Sequence, residues 1–154
     1  MNLGQHFTLA EFTASATALK HGWDNTPPME ERKALQKLVR FILDPLRIIL
    51  CRPITITSGY RSPRVNVAAG GTLKSQHTMG QAADIKVLEY QGRPAIRSAE
   101  LVQIINTLGL PYDQLIDEFG KWVHVSYGPR NRREALRARK GKFGTEYTPF
   151  EEPR

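Results

Sequence analysis

The sequence holds four histidines, His6, His21, His77 and His124, and two of them stand in company that could do chemistry. His77 lies in a long stretch without hydrophobic periodicity, and Asp84 follows seven residues later at the mouth of a strand pattern. His124 sits inside the apolar run Trp122-Val-His-Val. Imidazole nitrogen and carboxylate oxygen are natural zinc ligands, and a catalytic zinc takes three protein ligands and keeps one position open for water. Two histidines and one carboxylate therefore make a complete set, and water on such an ion is acidic enough to supply hydroxide near neutral pH. Residue type and spacing alone leave plainer readings open: a hydrogen-bonded core histidine, and an aspartate that caps or pairs.

The elements that must position these groups follow from periodicity and caps. Thr8-x-x-Glu11 has the form of a capping box and predicts a short helix over 9–18. Thr26-Pro27-Pro28 supplies a cap and a proline for the first helical position. Leu35, Leu38, Ile42, Leu46 and Ile49 then recur at helical spacing, which predicts a long amphipathic helix kinked at Pro45. Ile54-Thr-Ile-Thr57 alternates as a strand does. From 58 to 81 Gly, Ser, Pro and Asn dominate, and an irregular stretch of that length in a folded domain is usually functional or disordered. A strand is expected at 83–88, a helix at 98–108 closed by Gly109, and a hairpin of 112–119 with 122–127 around Gly120-Lys121. The tail from Pro129 is basic and then acidic at Glu151 and Glu152, with weak signals of order. The fold class expected is α+β, a mostly antiparallel sheet with helices packed on it.

The 154 residues fit a single domain, with a core over about 7–130 and a weakly ordered tail at 131–154. Apolar residues make up 40% and charged residues 24%, which excludes a disordered chain. The formal charge of +7 favours polyanionic partners: nucleic acid, anionic lipid or acidic wall polymer. Arg130, Arg132, Arg133, Arg137 and Arg139 read as a solvated basic helix face, or otherwise as a surface that holds anionic wall polymer. Cys51 is the sole cysteine, which excludes an intramolecular disulfide and a Cys-rich zinc ribbon; beside Ile48, Ile49 and Leu50 it reads as a small buried hydrophobe. No run approaches a membrane span. The start of the chain has no basic segment followed by an apolar one, so synthesis in the cytoplasm without a signal peptide is expected.

The runs Ser75-Gln-His77-Thr-Met-Gly80-Gln-Ala82-Ala-Asp84 and Trp122-Val-His124-Val-Ser126 change the balance. Together they resemble the signature of the zinc D-Ala-D-Ala carboxypeptidases, a group that includes lysostaphin-like endopeptidases and the hedgehog signalling domain. Ser58-Gly-Tyr-Arg61-Ser-Pro-Arg-Val-Asn66 and the Thr26-Pro-Pro opening are similar to the same group, so the resemblance covers about residues 7–130. It implies that His77, Asp84 and His124 hold a zinc ion. It also implies that Arg61 binds a substrate carboxylate or polarises the scissile carbonyl, for which a fixed guanidinium fork is suited. Ser75 either touches substrate or turns its loop; Trp122 either stacks on substrate or packs the core. Gly80 and Ala82 leave room for backbone beside the metal.

The catalytic base is a narrower question. Some relatives place a glutamate three residues before the last histidine; that position is Lys121, which cannot serve. The hedgehog-like branch places it six residues before, which is Glu118, and Asp117 is its rival. Directly opposed residues of an antiparallel hairpin share a face. A two-residue turn at Gly120-Lys121 would oppose Asp117 to His124 and send Glu118 behind the sheet. A three-residue loop, 119–121, opposes Glu118 to Trp122 and puts Glu118 on the face of His124. The resemblance favours Glu118, so an odd loop or a bulge at Gly120 is expected.

The resulting expectation is a zinc metallopeptidase that hydrolyses peptidoglycan stem peptides at or near D-alanine, as carboxypeptidase or endopeptidase. The alternative is a non-catalytic, zinc-containing wall- or protein-binding domain; no helix-turn-helix or aromatic stacking motif supports a nucleic-acid-binding one. The partner expected is a peptidoglycan peptide, with no nucleic acid, no membrane insertion and a monomeric chain. A phage or prophage lysis enzyme, released from the cytoplasm to reach the wall, would suit the size and charge.

Overall fold

The structure is a computed structural model and describes residues 1–152. In chain order it contains α1 (Leu9–Thr13), α2 (Ala16–His21), α3 (Met29–Leu38), a π-helical stretch (Val39–Leu43), α4 (Asp44–Leu50), β1 (Thr55–Ser58) and α5 (Pro63–Ala68). A 3-10 turn (Gln76–Met79), β2 (Ala82–Lys86), α6 (Ser98–Thr107), β3 (Gln114–Glu118), β4 (Trp122–Ser126), β5 (Glu134–Gly141) and β6 (Gly144–Pro149) follow. The strands form one mixed sheet in the order β1-β2-β4-β3-β5-β6. Its pairs are antiparallel except β3 with β5. The class is α+β with a mostly antiparallel sheet, as the sequence implied.

Strand alternation divides the sheet into an apolar face and a chemical one. Leu115, Val123, Val125, Ala83 and Ile85 are fully buried and join one core with Leu35, Leu38, Ile42, Leu43 and Leu46 of the α3–α4 helix and with Leu101, Val102 and Ile105 of α6. On the other face Asp84 opposes His124, His124 opposes Ile116, and Trp122 opposes Glu118.

Several boundaries differ from the sequence expectations for local reasons. The helix expected over 9–18 is broken after Thr13, and α2 restarts on a Ser15 hydroxyl that accepts from Ala18 N–H at 3.1 Å. Thr26 does not cap α3; its hydroxyl donates to Asp24 at 2.6 Å, and the helix starts two residues beyond Pro27. Short polar side chains that find a local partner compete with capping in this way. Ahead of Pro45 the long helix passes through the π-helical stretch, which widens the turn where proline removes an N–H donor. Cys51 is exposed rather than buried, because it ends α4 in a left-handed conformation with φ 50°.

The largest difference lies in the tail. Residues 131–154 were expected to be weakly ordered with a basic helix face; 153 and 154 lie outside the described residues, and 131–152 contain β5 and β6 at the sheet edge. Asp117 makes that possible. Fully buried on the core side, it accepts from the Ser98 hydroxyl at 2.7 Å and from Gly120 N–H at 3.2 Å. Its other oxygen takes Arg139 at 3.2 Å and Arg137 at 3.5 Å. Two arginines that read as a solvated face therefore neutralise a buried carboxylate.

Asp113 performs a similar task at the start of β3. It is fully buried and accepts from the Arg132 guanidinium at 2.9 and 3.1 Å, from Arg132 N–H at 2.7 Å and from the Gln76 amide at 2.8 Å. It thus ties the segment after β4 to the turn that carries His77. Burial alone would raise its pKa, but these donors hold it down to about 2. A carboxylate whose folded pKa lies below the unfolded value stabilises the fold above that unfolded value, about 3.9, and loses the contribution as pH falls through the folded one. Asp113→Asn is expected to lower stability by about 2–3 kcal/mol at pH 7, measured by urea unfolding. The gap to wild type should narrow between pH 4 and 2, and a gap that stays constant across that window would contradict the clamp.

Candidate metal centre and cleft

The loop that precedes β2 is shaped by close backbone contacts. Ser75 caps the 3-10 turn, its hydroxyl accepting from His77 N–H at 3.3 Å. Gly80 ends the turn with φ 67°, and a Cβ there would lie 2.3 Å from the Glu31 carbonyl oxygen of α3. Glycine at that position therefore leaves room for backbone, that of the helix on which the loop lies. Gly59 is equally confined, since a Cβ would meet the Phe12 carbonyl oxygen at 2.5 Å. The Gly59 carbonyl in turn stands 2.7 Å from His77 Nδ1.

That last contact fixes the chemistry of His77. With Nδ1–H donated to Gly59, a neutral ring presents the Nε2 lone pair, and Nε2 faces Asp84 Oδ1 at 3.3 Å. His124 Nδ1 faces the same oxygen at 3.2 Å. Acceptors of a neutral imidazole and a carboxylate repel one another unless a proton or a cation lies between them. One donor atom from each of His77, Asp84 and His124 lies within 4.8 Å of the others, and all three residues are buried. Two imidazoles and one carboxylate, one ring held by a carbonyl behind it, fit a zinc ion.

The surrounding charges are ordered about this cluster. Burial opposes ionisation of Asp84, but with a proton between the carboxylate and each ring, His77 and His124 together hold its carboxyl well below the usual range. Arg61 Nη2 lies 3.5 Å from Asp84 Oδ2, while its Nε donates to the Ser58 hydroxyl at 3.0 Å. The guanidinium is thus oriented at the edge of the cluster. Glu118 is half-buried, and burial first, then the Asp84 charge, push its pKa up against the opposing pull of His124 and Arg61.

The hairpin settles which acid shares the site face. The loop is three residues long, 119–121, with Phe119 at φ 58° and Gly120 at φ 68°. Glu118 stands opposite Trp122, on the face of His124, and Asp117 points to the core side. Both acids are thereby assigned a face, and the one facing the cluster is Glu118.

A cleft of about 490 Å³ opens over the cluster. Arg61, Ser75, His77, Asp84, Glu118, Trp122 and His124, all singled out from sequence, line it together. Ser75 therefore both turns its loop and faces the cleft. Trp122 is half-buried, edge-on to Phe119 at 6.0 Å, and also lines the cleft rather than sitting in the core. Lys74, Gln114, Arg132 and Tyr147 line it too, and sequence reasoning missed them. Only Tyr147 carried a usable signal, the short run Gly144–Pro149 between turn residues.

A buried two-histidine, one-carboxylate cluster under a cleft with an acid and an arginine beside it is the arrangement of a metal-dependent hydrolase. The family comparison agrees: a sequence model of Peptidase M15 matches residues 5–126, and the chain belongs to that family, whose members are zinc peptidases. No curated protein shows significant similarity to the chain. No helix among the described residues is long and apolar enough to cross a membrane.

If the cluster binds zinc, His77→Ala should weaken zinc affinity by more than about 100-fold, beyond the loss that follows removal of a group behind a ligand. Metal analysis after dialysis checks this, and unchanged stoichiometry would reject His77 as a ligand.

Proposed function

We propose that this peptidase is zinc-dependent and hydrolyses peptidoglycan stem peptides at or near D-alanine, as a carboxypeptidase or an endopeptidase. The observation that carries the reading is the shared face of Glu118, His124 and Asp84 beside the Arg61 guanidinium. The net charge of +7 suits a polyanionic wall, and a phage-type lysis role is part of the same reading.

When bound by His77, Asp84 and His124, zinc would supply a Lewis acid and an acidified water. The remaining work falls to the chain's own residues. Glu118, its pKa raised by burial and by Asp84, is suited to take a proton from the attacking water and return it to the leaving amine. Arg61, held by Ser58 and Asp84, presents donors for the oxygen on which charge develops. Ser75 and Trp122 wall the cleft and position the peptide. His77 needs its Nδ1–H bond to Gly59 to keep the required tautomer.

Zinc-loaded protein should release D-alanine or cleave cross-links in purified muropeptides. Glu118→Gln should retain stoichiometric zinc while kcat falls at least about 100-fold, the usual scale of a lost acid–base group. Absence of any cleavage by the zinc-loaded wild type, where a control enzyme succeeds, would overturn the reading. Asp117→Asn should act on stability rather than on kcat, and the reverse pattern would reject Glu118 as the base.

A further inference from the structure

The family match ends at Ser126, yet the cleft does not. β5 pairs with β3 and β6 pairs with β5, so one row of the sheet reads Glu118, Ala138, Tyr147. Residues aligned across neighbouring strands share a face, which puts Tyr147 on the side of Glu118 and His124. Ala138 between them carries only a methyl group, so the two long side chains can approach above it. Tyr147 accordingly lines the cleft together with Glu118 and Trp122, while its own surface remains 55% exposed. It is available to a ligand rather than committed to the core.

The hairpin that carries Tyr147 is fastened from the opposite face. Arg137 and Arg139 of β5 reach the buried Asp117, the residue adjacent to Glu118 in β3. One aspartate thus links the position of Tyr147 to that of the half-buried acid. The strands supply a wall that the matched residues 5–126 do not include.

We propose that Tyr147 is a substrate-contacting, specificity-determining residue, its ring walling the cleft and its hydroxyl donating to a carbonyl or carboxylate oxygen of a bound peptide next to Glu118. This rests on the peptidase reading of the cleft. The neutral phenol is the form present: partial burial and then the Glu118 charge both disfavour the phenolate. The ligand class is an extended peptide long enough to run from the His77–Asp84–His124 cluster to the outer strand, and a free dipeptide would make less use of this wall.

The test compares wild type, Tyr147→Phe and Tyr147→Ala on a length series of muropeptides, with Thr148→Ala on the opposite face of β6 as a control. Binding of the same peptides to zinc-loaded Glu118→Gln protein, with and without the Tyr147 changes, is measured by calorimetry. Tyr147→Ala should raise KM and the calorimetric Kd roughly three- to tenfold on the longer peptides, the scale of one hydrogen bond and its packing. The zinc content, kcat and far-ultraviolet spectrum should be unchanged. Tyr147→Phe should show most of that loss; a Phe variant equal to wild type would overturn the hydroxyl's part. Equal KM and Kd in all variants, with an active wild type, would overturn this inference alone. A wild type that neither binds nor cleaves the peptides would overturn the peptidase reading and this inference with it.

Discussion

The alternation of β2, β4 and β3 is the constraint on which the rest of the site depends. These central strands send mostly apolar residues into one core and Asp84, His124 and Glu118 to the opposite face, with Asp117 the polar exception on the core side. Asp84 and His124 meet because their strands pair in register, and Glu118 joins them because the β3–β4 loop has an odd number of residues. A one-residue slip would exchange Glu118 with Asp117 and turn a buried, paired carboxylate into the cleft. The bond from Asp117 to Gly120 N–H helps hold that loop length. Register, more than any single contact, decides the chemistry of the cleft.

The core gives the site its rigidity. The helix from α3 through α4 and the shorter α6 cover the apolar face, so the strands cannot shift without exposing Leu115, Val123 or Val125. The stretch between β1 and β2, expected to be irregular but holding α5 and the 3-10 turn, is pinned differently, by backbone approaches at Gly59 and Gly80 and by the Asp113 clamp. Where the chain has no regular ladder, close packing and buried charge pairs replace it. That combination lets a loop residue, His77, stand within 3.3 Å of a strand residue, Asp84, with its ring orientation set from behind.

Much of this was legible in the sequence because it is local. Periodicity placed α6 and the hairpin strands, and the runs around His77 and His124 marked the cluster. The odd 119–121 loop was expected only because the resemblance favoured Glu118 over Asp117; the rule that opposed residues share a face left both open. The tail was not legible, because the order of β5 and β6 rests on Arg137 and Arg139 meeting an aspartate some twenty residues earlier. Charged residues at those positions suggest solvent unless the distant partner is known. Cys51 failed for a related reason: its apolar neighbours predicted burial, but the end of α4 turns the chain outward there. Gly59 gave no sign that its carbonyl would orient the His77 ring, since that contact needs the loop to fold back.

The central claim is that His77, Asp84 and His124 together hold a zinc ion. X-ray absorption on the zinc-loaded protein tests it most directly. The account predicts nitrogen and oxygen scatterers at about 2.0–2.2 Å, with imidazole features from two histidines and no sulfur. A sulfur shell at about 2.3 Å, or imidazole scattering that survives replacement of both His77 and His124, would contradict it.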